Sequence, residues 1–298
     1  MIIGIETGGT KVVCAAAESG RPEHPVALKI VPTTMPGETL GLIAEFIEQN
    51  TRAESGAGAL QSIGLASFGP LDTDPGSAGF GHILSTPKPG WSNTDIVGSL
   101  AARFTAPIGL VTDVTGAVLG EHRWGAGQGH RDVAYLTVGT GIGVGAIVDG
   151  RVHAGTGYPE VAHVLVRRHP ADSFAGVCRF HGDCVEGLAS GPAIEARWGT
   201  DASSLAPDAR ATALEFEAFY LGQLIATLYY TLGSRLIILG GGVSKAPGLR
   251  GLVAASANAF IGQTYLAESH EEPLAVVRPG LGELSGVTGA LALAQSLL

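Results

Sequence analysis

Charged side chains are scarce in this chain. Asp, Glu, Lys and Arg make up 15% of its 298 residues, against about a quarter in an average protein, while hydrophobic residues make up 45%. A chain so composed buries a sizeable core and has apolar surface to spare for an oligomer. Basic residues are the scarcer sign: 18 Lys and Arg stand against 27 Asp and Glu, for a net charge of -9. That argues against nucleic acid as a partner, because nucleic-acid proteins present basic surfaces. It leaves an anionic nucleotide open, since backbone N–H groups and a magnesium ion can meet phosphates. Long apolar runs are missing too. The most apolar window late in the chain, Leu221–Val243, is interrupted by Gln223, Gly233 and Arg235, so no membrane span is expected. The N-terminus has no basic, cleavage-prone leader and enters a strand pattern at once, as expected of a cytoplasmic protein. Three cysteines are too few for a disulfide framework and fit a reducing compartment.

Two of those cysteines are nonetheless placed tellingly. Cys178 and Cys184 flank His181 in a C-x2-H-x2-C pattern, His163 precedes them, and Glu160 and Glu186 bracket the group. Four soft or borderline ligands this close read as a closed zinc site that builds structure and does no chemistry. The competing reading is two reduced core cysteines beside surface histidines. Cys14, alone in VVCAAA, reads as core.

Glycine is abundant: 45 residues, about twice the usual share and without a repeat. The excess points to turns and to close approaches of backbone to ligand. Strands are expected at Ile2–Ile5, Lys11–Ala17, Val26–Val31, Ile63–Ala66, Ile108–Val111, Val133–Thr137, Ile142–Val148, Leu236–Leu239 and Leu274–Val277. Helices are expected at Glu38–Gln49, Thr94–Phe104, Val114–Arg123, Ala209–Leu232, Gly248–Phe260 and Gly286–Leu298. Asp72–Trp91, rich in Gly, Pro, Ser and Thr, reads as a long functional loop. The interleaving makes the class α/β. GIETGGTKVVCAAA and LTVGTGIGVGAIV share a strand–glycine turn–strand layout, a weak internal duplication. The expected division is a first domain over residues 1–115, with the last helix (about 286–298) packing back on it, and a second over 116–285 carrying a zinc-binding loop at 159–190.

Three glycine turns follow strands: Gly8-Gly9-Thr10, Gly139-Thr140-Gly141 and Gly240-Gly241-Gly242. Each could bring backbone N–H groups to a phosphate, or be a plain turn. None fits the P-loop pattern or a dinucleotide fingerprint. Asp113, at the junction of a strand and a helix, has the placement of a general base for phosphoryl transfer to a hydroxyl; equally, it could cap its helix.

These motifs, in this order, resemble those of the ROK-family sugar kinases. The resemblance rests on Gly4-Ile5-Glu6-x-Gly8-Gly9-Thr10-Lys11, Thr112-Asp113-Val114, Gly139-Thr140-Gly141-Ile142-Gly143, Glu160-x-x-His163, the Cys-His-Cys group and Gly240-Gly241-Gly242-Val243. Ser67-Phe68-Gly69-Pro70, Thr86-Pro87-Lys88-Pro89-Gly90-Trp91 and Glu186-Gly187-Leu188-Ala189-Ser190-Gly191-Pro192 are similar to the bacterial fructokinase branch. The match runs from Ile3 to the last helix.

The resemblance implies an actin-like (ribonuclease H-like, duplicated) α/β fold with two domains around a central cleft. It implies ATP as phosphoryl donor, Mg2+, a structural Zn2+ and a hexose acceptor, fructose first. Asp113 would take the proton of the sugar O6. Glu6, Gly8, Gly9, Thr10, Lys11, Gly139, Thr140, Gly141, Gly240, Gly241 and Gly242 would bind the nucleotide and its magnesium, Glu6 through a metal-bound water. Gly69, Pro70, Trp91, Thr112, Glu160, His163 and Glu186 would line the sugar site, with His163, Cys178, His181 and Cys184 on zinc. A homodimer is implied as well. Three positions depart from the family pattern: Glu6 where Asp is usual, Thr115 where Asn is common, and Ala162 in place of Gly. Glucokinase, mannokinase or N-acetylhexosamine kinase activity is the implied alternative, and a sugar sensor without turnover a more distant one. The family's repressors carry an N-terminal DNA-binding module; this chain opens on the first strand.

Overall fold

Apolar runs separated by glycine turns become strands here, as their alternation requires. In the computed structural model, which describes residues 1–51, 58–154, 157–200, 204–269 and 273–298, the chain divides into two units. The first comprises Met1–Gln128, Ala154–Tyr158 and Gly280–Leu298. Its elements begin with strands β1 (Ile2–Thr7), β2 (Lys11–Ala17) and β3 (Ala27–Pro32), helix α1 (Pro36–Thr51) and strand β4 (Ser62–Ser67). Short strands β5 (His82–Ile83) and β6 (Thr94–Asp95), helix α2 (Ile96–Ala101), strand β7 (Ile108–Thr112) and helix α3 (Asp113–Trp124) follow. The sheet order is β3-β2-β1-β4-β7. β1, β2 and β3 run as an antiparallel meander, while β4 and β7 add in parallel to β1. β4 is buried at every residue, as a central parallel strand covered on both faces must be.

The second unit, Gly129–His153 and Pro159–Pro279, repeats this plan. Its strands are β8 (Val133–Val138), β9 (Ile142–Val148), β10 (Arg151–Val152), β11 (Leu236–Gly240) and β12 (Ala275–Val277). They order as β10-β9-β8-β11-β12, again a three-stranded meander joined by two parallel strands. The weak sequence duplication is therefore complete at the level of topology. Its helices are α4 (Val185–Ala189), α5 (Gly191–Trp198), α6 (Pro207–Leu232), α7 (Leu249–Ile261) and α8 (Gln263–Ser269). Tyr220, Leu221, Leu224, Ile225 and Leu228 of α6 are fully buried, each worth about 1.5–3 kcal/mol of transfer free energy.

The final helix, α9 (Ser285–Gln295), returns to the first unit and packs on α3 and on the sheet. The two helices touch at glycine: a Cβ on Gly289 would fall 1.6 Å from the Gly116 carbonyl oxygen. The expected division at residue 115 cuts α3, whereas all of α3 lies in the first unit. The reason is Glu121, fully buried, whose carboxylate accepts from Ala126 N, Gly280 N, Leu281 N and Ser285 Oγ at 2.6–2.9 Å. That one side chain binds the end of α3 to the returning segment.

The helix expected over Thr94–Phe104 is shorter. Thr94 and Asp95 pair with Ile83 and His82 inside the expected loop region, and the Asp95 carboxylate caps α2 by accepting from Gly98 N at 2.6 Å. An aspartate stabilises a helix start better than a helix interior. Cys14 is core, and burial pushes its thiol up to about 12.

Candidate active site and metal centre

Parallel strands deliver their loops to one edge. In the first unit Thr7, Ser67 and Thr112 lie in register at the C-terminal ends of β1, β4 and β7. The Gly8-Gly9-Thr10 turn, Gly69-Pro70 and Asp113 leave from those ends, where open α/β sheets bind ligands. In the second unit Thr137 and Gly240 are in register, which sets Gly139-Thr140-Gly141 beside Gly240-Gly241-Gly242.

Asp113 is the first residue of α3. The cap is Thr112, whose hydroxyl accepts from Thr115 N and donates to Thr115 Oγ1 at 2.8 Å. The capping role open to Asp113 is thus filled by its neighbour. Asp113 Oδ1 accepts from Val114 N at 2.8 Å, which fixes the carboxylate at a helix N-terminus. Glu6 lies near it. Burial first, and then the Asp113 charge, push the Glu6 carboxyl up to about 7; a hydrogen bond from the Val287 backbone and the Lys11 charge pull the other way. Glu6 Oε2 is buried and has no hydrogen-bond partner among the described residues. Burial raises the Tyr158 phenol, an effect that the Thr73 side chain and the Thr112 backbone partly offset.

The hairpin turn is held from behind. Thr33 Oγ1 donates to Gly8 O (2.7 Å), and Lys88 Nζ donates to Gly9 O (2.5 Å) and Thr33 O (3.1 Å). Gly9 and Thr10 are exposed, with open space over the Gly9 Cα. Lys11 Nζ faces Glu283 Oε2 at 3.6 Å. Gly69-Pro70, a cis peptide, follows β4, and Pro70 is exposed. Trp91 corrects an expectation. Its side chain is 0% exposed, its Nε1 donates to Thr34 O at 2.7 Å, and its ring meets Phe68 edge-on. It supports the loop from the core and presents no face to a sugar.

In the second unit Gly139 N donates to Gly141 O (2.9 Å), and Gly139 O accepts from Gly191 N (2.7 Å) at the start of α5. Gly139 and Thr140, with Gly242, Val243, Pro192, Ile194 and residues of α6, line a cavity of about 860 Å³. That is a nucleotide-sized space with mostly apolar walls and a few polar groups. Gly241 has φ +87°, and a Cβ there would fall 2.3 Å from Val138 O. Gly240 packs on Tyr135 in the same way, so these two shape the turn while Gly242 reaches the cavity. Glu217 of α6 also lines the cavity; burial pushes its carboxyl well above the usual range, and neither oxygen has a partner among the described residues.

The four expected metal ligands come together. Nδ1 of His163 lies 3.6 Å from Cys178 Sγ and 3.5 Å from Cys184 Sγ, and His181 Nδ1 lies 3.7 Å from Cys178 Sγ. All four ligand atoms fall within 4.8 Å of one another. A tetrahedron with bonds of about 2.0–2.3 Å has edges of about 3.3–3.8 Å. The three separations of 3.5–3.7 Å match such edges, and the four donors, none farther than 4.8 Å from another, are of the kind and number that would hold a four-coordinate zinc after a small inward shift. A tight turn makes this possible: Cys178 N donates to Gly182 O and Gly182 N to Cys178 O. Glu160 is exposed just before His163. Glu186, at the first turn of α4, accepts from Ile142 N at 3.1 Å, tying the metal loop to the end of the second glycine turn.

A network that sequence reasoning missed braces this loop. Arg197 Nη2 pairs with Asp172 Oδ2 at 3.1 Å, both almost fully buried, and Tyr220 Oη donates to the same oxygen at 2.6 Å. Burial alone would raise the Asp172 carboxyl, but the bonds from Tyr220, the Phe174 backbone and Arg197 hold it below the usual range. No motif marks these residues, because each is a lone polar position on a different element.

The family model described as the ROK family matches residues 2–297. The chain belongs to the ROK family. It is 42% identical over 291 residues to a fructokinase of Zymomonas mobilis, covering 97% of this chain and 95% of that one. It is 34% identical over 304 residues to a fructokinase of Pediococcus pentosaceus, covering 100% and 99%. A ROK hexokinase structure from Thermus thermophilus superposes with a TM-score of 0.80 at 28% identity, over 99% of this chain and 98% of that one. Among the ROK motifs, the Thr115 departure now has a local account: buried, it is spent on Thr112 and keeps the turn before Asp113 closed.

Proposed function

We propose that this ROK protein transfers the γ-phosphoryl group of ATP to a hexose, D-fructose first, giving fructose 6-phosphate. The observation that carries the reading is Asp113. It is an acid on the first turn of a helix at the sheet's ligand edge, and the capping work there is done by Thr112 and Thr115. It stands in a chain that matches fructokinases over nearly its full length.

Asp113 accepts the proton of the sugar O6 as that oxygen attacks phosphorus. Gly8, Gly9, Thr10 and Lys11 are assigned to phosphate binding, and Gly139, Thr140 and Gly141 are assigned the same role. Gly242 borders the adenosine, which the cavity beside it accommodates, and Gly240 and Gly241 set the turn that presents it. Magnesium, when bound, neutralises charge on the β- and γ-phosphates; Glu6 would hold one of its waters. Gly69, Pro70 and Thr112 are assigned to sugar binding, with Trp91 supporting their loop from the core, and Glu160, His163 and Glu186 are assigned the same role. His163 turns Nδ1 to the sulfurs, which leaves Nε2 for a sugar hydroxyl. Zinc, when bound, supplies a rigid link among His163, Cys178, His181 and Cys184.

The finer description of the fold as actin-like, a homodimeric state and a cytoplasmic location belong to the same reading. Among the described residues no helix is long and apolar enough to cross a membrane. The test is sugar-dependent release of ADP, measured across fructose, glucose, mannose and N-acetylhexosamines. Turnover with fructose at the highest kcat/KM supports the proposal; no turnover with any hexose sinks it.

A further inference from the structure

We propose that Lys88 is a phosphate-binding residue of this transfer. One of its ammonium protons holds the Gly8-Gly9-Thr10 turn at Gly9 O, a second goes to Thr33 O, and the third is given to the transferring phosphoryl group. The inference rests on the kinase reading above.

Lysine has three N–H donors and no acceptor. Nζ of Lys88 spends two of them on neutral carbonyls, Gly9 O and Thr33 O. Among the described residues no carboxylate lies within ion-pair distance of it, so its charge is not offset locally. A strap for a turn does not require a charge, and ordering a long side chain costs rotamer freedom. An uncompensated ammonium at an exposed glycine turn is suited to an anion.

The surroundings favour the same ligand. With Gly8 O held by Thr33 and Gly9 O by Lys88, the turn's carbonyl dipoles are occupied, which lessens their opposition to a phosphate. The space over Gly9 is open. Lys11, the turn's other cation, is engaged with Glu283. Lys88 is also well placed to act as a fixed charge. It sits between Pro87 and Pro89 in a segment anchored by buried Trp91 and by Thr86 N, which donates to Ser92 Oγ at 3.1 Å. A preorganised donor aimed at developing charge is worth about 10²–10³ in kcat.

Three variants test this: K88M, K88Q, which keeps one donor for Gly9 O, and T33V, which loosens the same turn without removing charge. Steady-state rates with fructose, unfolding temperatures, and calorimetric binding of ATP and AMP without sugar are the readouts. K88M and K88Q are expected to lose about 10²-fold or more in kcat. They are also expected to bind ATP about tenfold or more weakly while AMP and the sugar KM stay within about threefold; T33V should stay within about fivefold of wild type. Equal loss in T33V and K88Q, near-normal kcat in K88Q, or equal weakening of ATP and AMP would each overturn the assignment. A wild type that turns over no hexose would refute the kinase reading instead, and the ATP-against-AMP comparison would still decide Lys88.

Discussion

Glu6→Gln should make the protein more stable and less active, with a stability gain that depends on pH. The Glu6 carboxyl goes from an ordinary 4.5 to about 7 on folding, because it is buried and close to Asp113. At about 1.36 kcal/mol per pH unit, the ionised side chain costs the folded state about 3 kcal/mol. The sign is set by which state holds the proton. Below about pH 4.5 both states are protonated and Glu6 contributes nothing. Between 4.5 and 7 the unfolded chain releases the proton first, so stability falls as pH rises. Above 7 both are ionised and the full cost applies. The groups that face Glu6 are Asp113, Glu283 and Lys11, together with the Val287 N–H, which a glutamine oxygen can still engage. Urea unfolding of wild type and E6Q at pH 5 and pH 8, without nucleotide or metal, is the assay. A difference near zero to 1 kcal/mol at pH 5 should grow to about 2–3 kcal/mol at pH 8. A pH-independent difference, or an E6Q protein less stable at pH 8, would refute this view of Glu6. The gain in stability should come with lost turnover, since a strained charge at a site is commonly kept for function.

Asp113→Asn should fold and bind sugar as wild type does but lose about 10²–10⁴ in kcat; near-normal turnover would exclude Asp113 as the base. Purified protein should contain about one zinc per chain. A chelator should lower the unfolding temperature and raise the sugar KM before it touches nucleotide affinity. Zinc-free protein with unchanged stability would remove the metal, and an effect on ATP alone would show that the loop serves the nucleotide.

Much of this was legible where local pattern and tertiary role coincide. The hairpins β1–β2 and β8–β9 announce themselves as apolar runs around a glycine turn, and their burial follows from the same alternation. The Cys-His-Cys spacing needs only a tight turn to converge, so the meeting of Cys178, His181 and Cys184 with His163 could be read from the sequence. Trp91 was misplaced because a Gly- and Pro-rich segment reads as surface; only its bond to Thr34 and contact with Phe68 draw it inside. Lys88 and Gly9 are 79 residues apart, and Arg197, Asp172 and Tyr220 meet from separate elements. Contacts of that kind leave no periodicity to read. The same holds for the division of the chain, since Glu121 joins α3 to a segment about 160 residues later.

The transfer itself is tested most directly by identifying the product. Fructose and MgATP incubated with the protein, followed by phosphorus and carbon NMR, should yield ADP and a sugar monophosphate whose phosphorus couples to C6, and the D113N protein should yield almost none. Inorganic phosphate without a sugar phosphate, a phosphate on another carbon, or equal product from D113N would contradict a hexose kinase that works through Asp113.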